Sequence, residues 1–240
     1  MNNPGESVYN KTKLKTEMDL YEVQVDYIQY YYPSRYWKYI NSTVKASALD
    51  DYFSQLRGFN MVSPEGDGVH ATDQPKGEYR ADISEFFCDG ELVSLRSWYY
   101  GYSGGAHGWR GVDSMNFGGS DCGSFTLEDL FGLDETQALL IIKRCDEILK
   151  LDGSTLSAVE NKAPISLADE IDGKFLTAIE MLEQFNFNDR GIVLNFGSAV
   201  GLPYAAGEFE VTVPWTAWNF EINEIYEHTQ IAKFINEKSG

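Results

Sequence analysis

The sequence predicts an α+β fold, a mainly antiparallel sheet with packed helices, and three observations carry that expectation. Stretches alternating every second residue and rich in Val, Ile, Tyr and Phe recur along the chain. Between them lie segments with apolar residues at helical spacing. Strands and helices come in runs, without the regular strand–helix–strand rhythm of a parallel sheet.

Taken in order, residues 1–19 read as a polar N-terminal arm, because MNNPGESVYNKTKLK contains no apolar run. Residues 20–78 form a strand–helix subdomain. Its strand is expected over Leu20–Tyr32, ended by Pro33. Its helix is expected over Tyr36–Leu56, with Trp37, Ile40, Val44, Ala48 and Phe53 near a 3.6-residue period and Gly58 as the stop. Ser63 to Gly77 is rich in Pro, Gly and Asp and reads as a long loop.

Residues 79–240 are expected to hold an antiparallel sheet and helices. Strands at 79–87 and 92–100 join across Asp89-Gly90, a tight-turn dipeptide, and a third follows at 111–117. Thr126 reads as the cap of a short helix, with Asp129 as its box partner. The clearest helix runs from Asp134 to Leu151, and another is expected from about Leu167 to Leu182. Phe185–Phe187 and Gly191–Phe196 flank Asn188-Asp-Arg as a hairpin, and Gly207–Val213 alternates as one more strand. That strand is expected in the same sheet as 79–87, 92–100 and 111–117, with the 134–151 helix packed on it. A last helix is expected over 219–238.

Charge narrows the partners. The chain has 37 acidic and 19 basic residues, a formal net charge of −18, and residues 121–240 hold 21 acidic and 8 basic side chains, which is −13. Such a field opposes nucleic acid and anionic lipid and attracts cationic partners, besides aiding solubility. No stretch approaches the roughly 18 apolar residues of a membrane span. The three cysteines are far apart and lack a CxxC pair, so no metal site is expected. Cys88–Cys122 is the better guess for a disulfide. Cys145, inside ALLIIKRCDEIL, reads as a core residue.

Two segments stand out. In Tyr99-Tyr-Gly-Tyr-Ser-Gly-Gly-Ala-His-Gly-Trp-Arg, the glycines Gly104, Gly105 and Gly108 permit a sharp turn between strands. His107 has the chemistry of a ligand contact, a base or a pH switch, but a catalytic imidazole needs an orienting carboxylate or a nucleophile that the sequence does not place beside it. Trp109 follows the turn and is the preferred aromatic anchor, with Tyr102, His107 and Arg110 as companion binding candidates. In Leu202-Pro-Tyr-Ala-Ala-Gly-Glu-Phe-Glu-Val-Thr-Val-Pro-Trp, Pro203 and Gly207 are expected to bracket a bend into a strand, with the Tyr204 ring filling the core and its hydroxyl donating to a buried carbonyl. No catalytic residue, cofactor or metal ligand is assigned.

With Tyr-Ser-Gly-Gly-Ala-His-Gly, Asn116-Phe117, Phe125-Thr-Leu-Glu-Asp-Leu-Phe and Pro-Tyr-Ala-Ala-Gly in this order, residues 20–218 resemble the extracytoplasmic module of RsiV-type anti-sigma factors, also found beside PdaC-like peptidoglycan deacetylases. Tyr32-Pro33 and Ile40-Asn41 resemble its opening half. The resemblance implies a periplasmic, secreted or lipid-anchored domain that binds lysozyme or another cationic protein. It implies no catalytic residues. The 240 residues contain no sigma-binding segment and no deacetylase domain.

Two other readings stand beside the binding module. An envelope hydrolase needs two carboxylates facing each other, and Asp50/Asp51, Glu128/Asp129 and Glu208/Glu210 are adjacent or alternating pairs. No GxSxG elbow is present. A purely structural module is the third reading.

Overall fold

Lysine at every second position from Lys11 to Lys15 leaves Thr12, Leu14 and Thr16 to face a neighbour, and Tyr9–Glu17 is a strand, β1. It lies in the segment expected to be a polar arm. The polar composition reflects its place at a sheet edge, where only one face of the strand is covered. The computed structural model describes residues 8–61, 76–104, 107–118, 123–151, 177–196 and 209–215, with positions 222, 227, 232, 236 and 237.

β2 (Tyr21–Tyr30) pairs antiparallel with β1, from Tyr9↔Tyr30 to Glu17↔Glu22, and buries Val23, Val25 and Tyr27. Next comes the helix α1 (Arg35–Met61), which buries Trp37, Ile40, Val44, Ala48 and Tyr52 and packs on β2. Two details differ from expectation. Phe53 is 50% exposed and Tyr52 takes the inward place, four residues after Ala48, with its hydroxyl bonded to Thr16. Nor does Gly58 stop the helix. A single glycine costs a helix about 1 kcal/mol, which the remaining packing offsets.

α1 is the crossover to β3 (Gly77–Cys88), which runs parallel to β2 from Tyr21↔Gly77 to Asp26↔Asp82. β4 (Leu92–Tyr102) and β5 (Trp109–Gly118) complete a five-stranded sheet of order β1-β2-β3-β4-β5. Between β3 and β4, Gly90 has φ +96°, while the Asp89 carboxylate accepts from the backbone N–H of Glu91 and Leu92. The tight turn read from Asp-Gly is present.

Helix α2 (Leu127–Phe131) has the expected capping box: Thr126 Oγ1 accepts from Asp129 N–H, and the Asp129 carboxylate accepts from Thr126 N–H. α3 spans Glu135–Leu151. The expected 167–182 helix is not continuous. Thr177 is extended and is itself an N-cap, so α4 covers only Ala178–Met181, and residues 167–176 lie outside those described. The Glu135 side chain at the start of α3 also accepts from the Ala178 and Ile179 N–H groups.

β6 (Phe185–Phe187), β7 (Gly191–Phe196) and β8 (Phe209–Pro214) form a second, antiparallel sheet. The β8 strand therefore does not join β3–β5, as expected from its sequence; its partner is β7, and α3 packs on it and on α4. Alternation itself holds, with Val211 and Val213 buried and Glu210 exposed. Most of the expected 219–238 helix lies outside the described residues.

The chain forms two compact units, Met1–Glu85 with Arg96–Gly111, and Phe86–Leu95 with Val112–Gly240. The second unit has a continuous apolar core in which Phe125, Leu130, Ile142, Phe185, Ile192 and Trp215 take part. Cys145 belongs to it, as expected. Burial pushes its thiol up, and the neighbouring Asp146 charge adds to the shift. Cys122 lies outside the described residues, and with it the Cys88–Cys122 pairing.

Candidate functional site

The glycine-rich segment is a hairpin end in which aromatic rings fill the spaces in front of glycines. A β-carbon on Gly101 would stand 2.2 Å from Trp109 Cζ2, and one on Gly111 would stand 2.3 Å from the Tyr99 hydroxyl. On Gly108 it would meet the Gly101 carbonyl oxygen at 2.4 Å and the Tyr100 ring at 2.7 Å. Each glycine is thus required by a ring or backbone that has moved into side-chain space. Gly104 serves differently: it has φ +96° and open space around it, so it turns the chain.

Among the binding candidates, Tyr102 ends β4 and is half-buried, and Trp109 opens β5 and is half-buried. Trp109 is expected to follow the turn without sitting in a strand; it is instead the first residue of β5, with its ring packed over Gly101. His107 and Arg110 are exposed, and the His107 ring nitrogen Nδ1 lies 3.4 Å from the Gly108 carbonyl oxygen. The hairpin brings these four residues to one end of β4 and β5. Gly105, Pro203, Tyr204 and Gly207 lie outside the described residues.

Two members of the carboxylate pairs have identified partners. Asp129 is the capping partner of Thr126. The Tyr79 hydroxyl lies 2.9 and 2.8 Å from the two oxygens of Asp51, and Tyr79 stacks on Tyr99. Burial holds Asp51 above the usual carboxylate range, opposed by hydrogen bonds from Tyr79 and Gln55 and assisted by the Asp50 charge. Glu210 is exposed on β8, and Glu208 lies outside the described residues. Asp26 and Asp82, aligned across β2 and β3, are a pair that sequence reasoning missed, because parallel pairing across a helix leaves no local signal. Gln24 donates to Asp26 and Lys11 is ion-paired with Asp82. The other oxygen of each carboxylate is shut from solvent, with no hydrogen-bond partner among the described residues.

A second missed feature is a buried amide network in the second unit. Ser94 Oγ donates to Asn116 Oδ1 at 2.7 Å, and Asn116 Nδ2 donates to the Phe185 carbonyl at 2.8 Å. Asn186 Nδ2 donates to Ser94 Oγ and the Leu95 carbonyl, while its Oδ1 accepts from Ser114 Oγ and Asn195 Nδ2. The network links β4 and β5 to β6 and β7 through side chains whose polar groups are satisfied, a structural arrangement. Asn41 acts similarly in the first unit, bonding both backbone groups of Tyr30. The signature residues Asn41, Asn116, Phe117, Phe125, Leu127 and Leu130 thus have packing or hydrogen-bonding roles.

Comparison with known proteins agrees with this picture at the level of fold. No family model matches the sequence, and no curated protein matches it. Among solved structures, a member of the DUF3298 family from Bacteroides fragilis superposes with a TM-score of 0.63 at 16% identity, covering 99% of this chain and 100% of that one. A DUF3298 family protein from Pseudomonas aeruginosa superposes with a TM-score of 0.59 at 14% identity, covering 92% of this chain and 96% of that one. This chain shares its fold, over nearly its whole length, with structures of the DUF3298 family.

Proposed function

We propose that this chain is an extracytoplasmic binding or sensor module of the bacterial cell envelope that recognises a cationic protein, a lysozyme being the leading form of that partner. The observation that carries the reading is the charge of −18, of which residues 121–240 hold −13. A field of that sign steers a basic protein into encounter and repels phosphate polymers. The resemblance to RsiV-type modules supplies the partner class. The Tyr102–Arg110 hairpin end supplies a second contact region, with His107 and Arg110 exposed near glycines that aromatic rings pack against.

Titration calorimetry and gel filtration with lysozymes of more than one type, at low and near-physiological salt, test the proposal. Binding is expected, and it weakens as salt rises because exposed charges more than about 8 Å apart become screened. Absence of both heat and complex with every lysozyme sinks the lysozyme form. In Trp109→Ala, checked for retained fold by circular dichroism, lost binding places the contact beside the hairpin. Retained binding places it on residues 121–240.

A further inference from the structure

β1 is the outermost strand of the five-stranded sheet, and its backbone polarity can be worked out residue by residue. Tyr31 N–H donates to the Val8 carbonyl and Met18 N–H to the Tyr21 carbonyl, so the bonded pairs of the β1–β2 ladder fall at even-numbered residues of β1. In an antiparallel ladder the intervening residues point their N–H and C=O groups the other way. The outward groups therefore belong to Tyr9, Lys11, Lys13, Lys15 and Glu17. Among the described residues no strand takes them up on that side.

This edge is unlike the edge at β8. There the strand is six residues long, and by the same parity Pro214, which has no N–H, stands at an outward position. β1 is nine residues long and pairs in unbroken register, with no bulge and no proline. Its guard is charge, three lysines with Glu17 at one end, and lysine discriminates. Antiparallel pairing with another copy of β1 centred on Lys13 sets Lys11 against Lys15 and Lys13 against itself, which is repulsive. A strand with acidic residues at alternate positions meets those lysines favourably. Lys11 is already ion-paired with Asp82, and Lys15 with Glu22 and with Glu17 of its own strand, whereas Lys13 forms no ion pair among the described residues.

We propose that the outer edge of β1 is a docking strand for an extended acidic peptide, which adds to the sheet beside Tyr9–Glu17 with its acidic side chains set against Lys11, Lys13 and Lys15. The intervening residues of such a peptide lie on the face of Thr12 and Leu14, where β-branched apolar side chains fit. The charge preference is opposite to that of the cationic-partner reading, so each can fail without the other.

The probe is a synthetic nonapeptide alternating Glu and Val, with its Lys/Val counterpart as control. The Glu peptide is expected to bind the full chain and the Lys peptide is not. On binding, the amides of Lys11, Lys13 and Lys15 gain protection from hydrogen exchange, whereas those of Thr12 and Leu14 are already protected by β2. Lys13→Pro removes an outward donor that the β1–β2 ladder does not use, so the fold survives and affinity falls at least about tenfold. If that variant does not fold, Lys13→Glu at unchanged melting temperature is expected to show the same loss. Equal affinity for the two peptides, no binding of the Glu peptide, or undiminished binding by a folded Lys13 variant overturns the proposal.

Discussion

The indole of Trp109 occupies the space in front of Gly101, so close that a β-carbon there would lie 2.2 Å from one ring atom and 2.3 Å from another. A methyl group has nowhere to go unless the ring moves. Gly101→Ala is therefore expected to cost about 1–3 kcal/mol, the range for overpacking a filled site. Thermal denaturation checks this, with Gly101→Ala/Trp109→Ala as the companion variant. Once the ring is gone the second methyl costs little, so the two substitutions are strongly non-additive. Additive losses would show that the contact is not what excludes a side chain at residue 101.

Asn186 is the hub of the amide network, donating twice and accepting twice in a site closed to solvent. Asn186→Leu keeps comparable bulk but takes a donor from the Leu95 carbonyl and from Ser94 Oγ and an acceptor from Ser114 Oγ and Asn195 Nδ2. At about 1–3 kcal/mol for each buried group left unsatisfied, the variant is expected to lose 3 kcal/mol or more in a urea titration. A loss below about 1 kcal/mol would mean that water replaces the amide.

Asp51 gives a pH dependence with a definite sign. Its carboxyl is held above the ordinary carboxylate range mainly by burial, so the folded state binds its proton more tightly than the unfolded state does. The group then costs no stability below its unfolded pKa. Stability falls as pH rises from there through the folded pKa, and the full cost remains above it. Asp51→Asn keeps an oxygen for the Tyr79 hydroxyl without the charge. It is expected to melt higher than the parent at pH 7, with the difference shrinking as pH drops below the ordinary carboxylate range. A difference that is the same at pH 7 and pH 3 would refute this.

Local chemistry accounts for what the sequence made legible. Asp89-Gly90, Thr126 with Asp129, and the alternation of β8 are decided by residues within a few positions of each other, and each is found as expected. Long-range pairing was not legible. Phe209–Pro214 reads as a strand, but nothing in its alternation names β7 as partner, and the expected placement beside β3–β5 fails for that reason. β1 was missed because an edge strand with one covered face carries Thr12, Leu14 and Thr16 where a core strand carries larger apolar residues. At the hairpin, the sequence marks Gly104, Gly105 and Gly108 as turn formers. Gly104 is one, whereas Gly108 is there for the Gly101 carbonyl and the Tyr100 ring, and Gly101 and Gly111, which carry no turn signal, face the Trp109 and Tyr99 rings. Phe53 is expected inward, but five residues after Ala48 it falls about 140° round the helix from it, whereas Tyr52, four residues after, keeps the stripe and meets the Thr16 hydroxyl.

The division of the chain has a consequence for how it can be made and cut. The path leaves the first unit after Glu85, returns at Arg96 and leaves again after Gly111, so neither unit is a continuous stretch of sequence. No single truncation releases either one whole. On a ribosome, the first unit lacks its last sixteen residues until Gly111 has emerged, by which point the segment Phe86–Leu95 has already been made for the other. Unlike tandem modules joined by a linker, these two cannot be exchanged, duplicated or deleted by recombination at one point. Such a chain evolves and is engineered as a single piece.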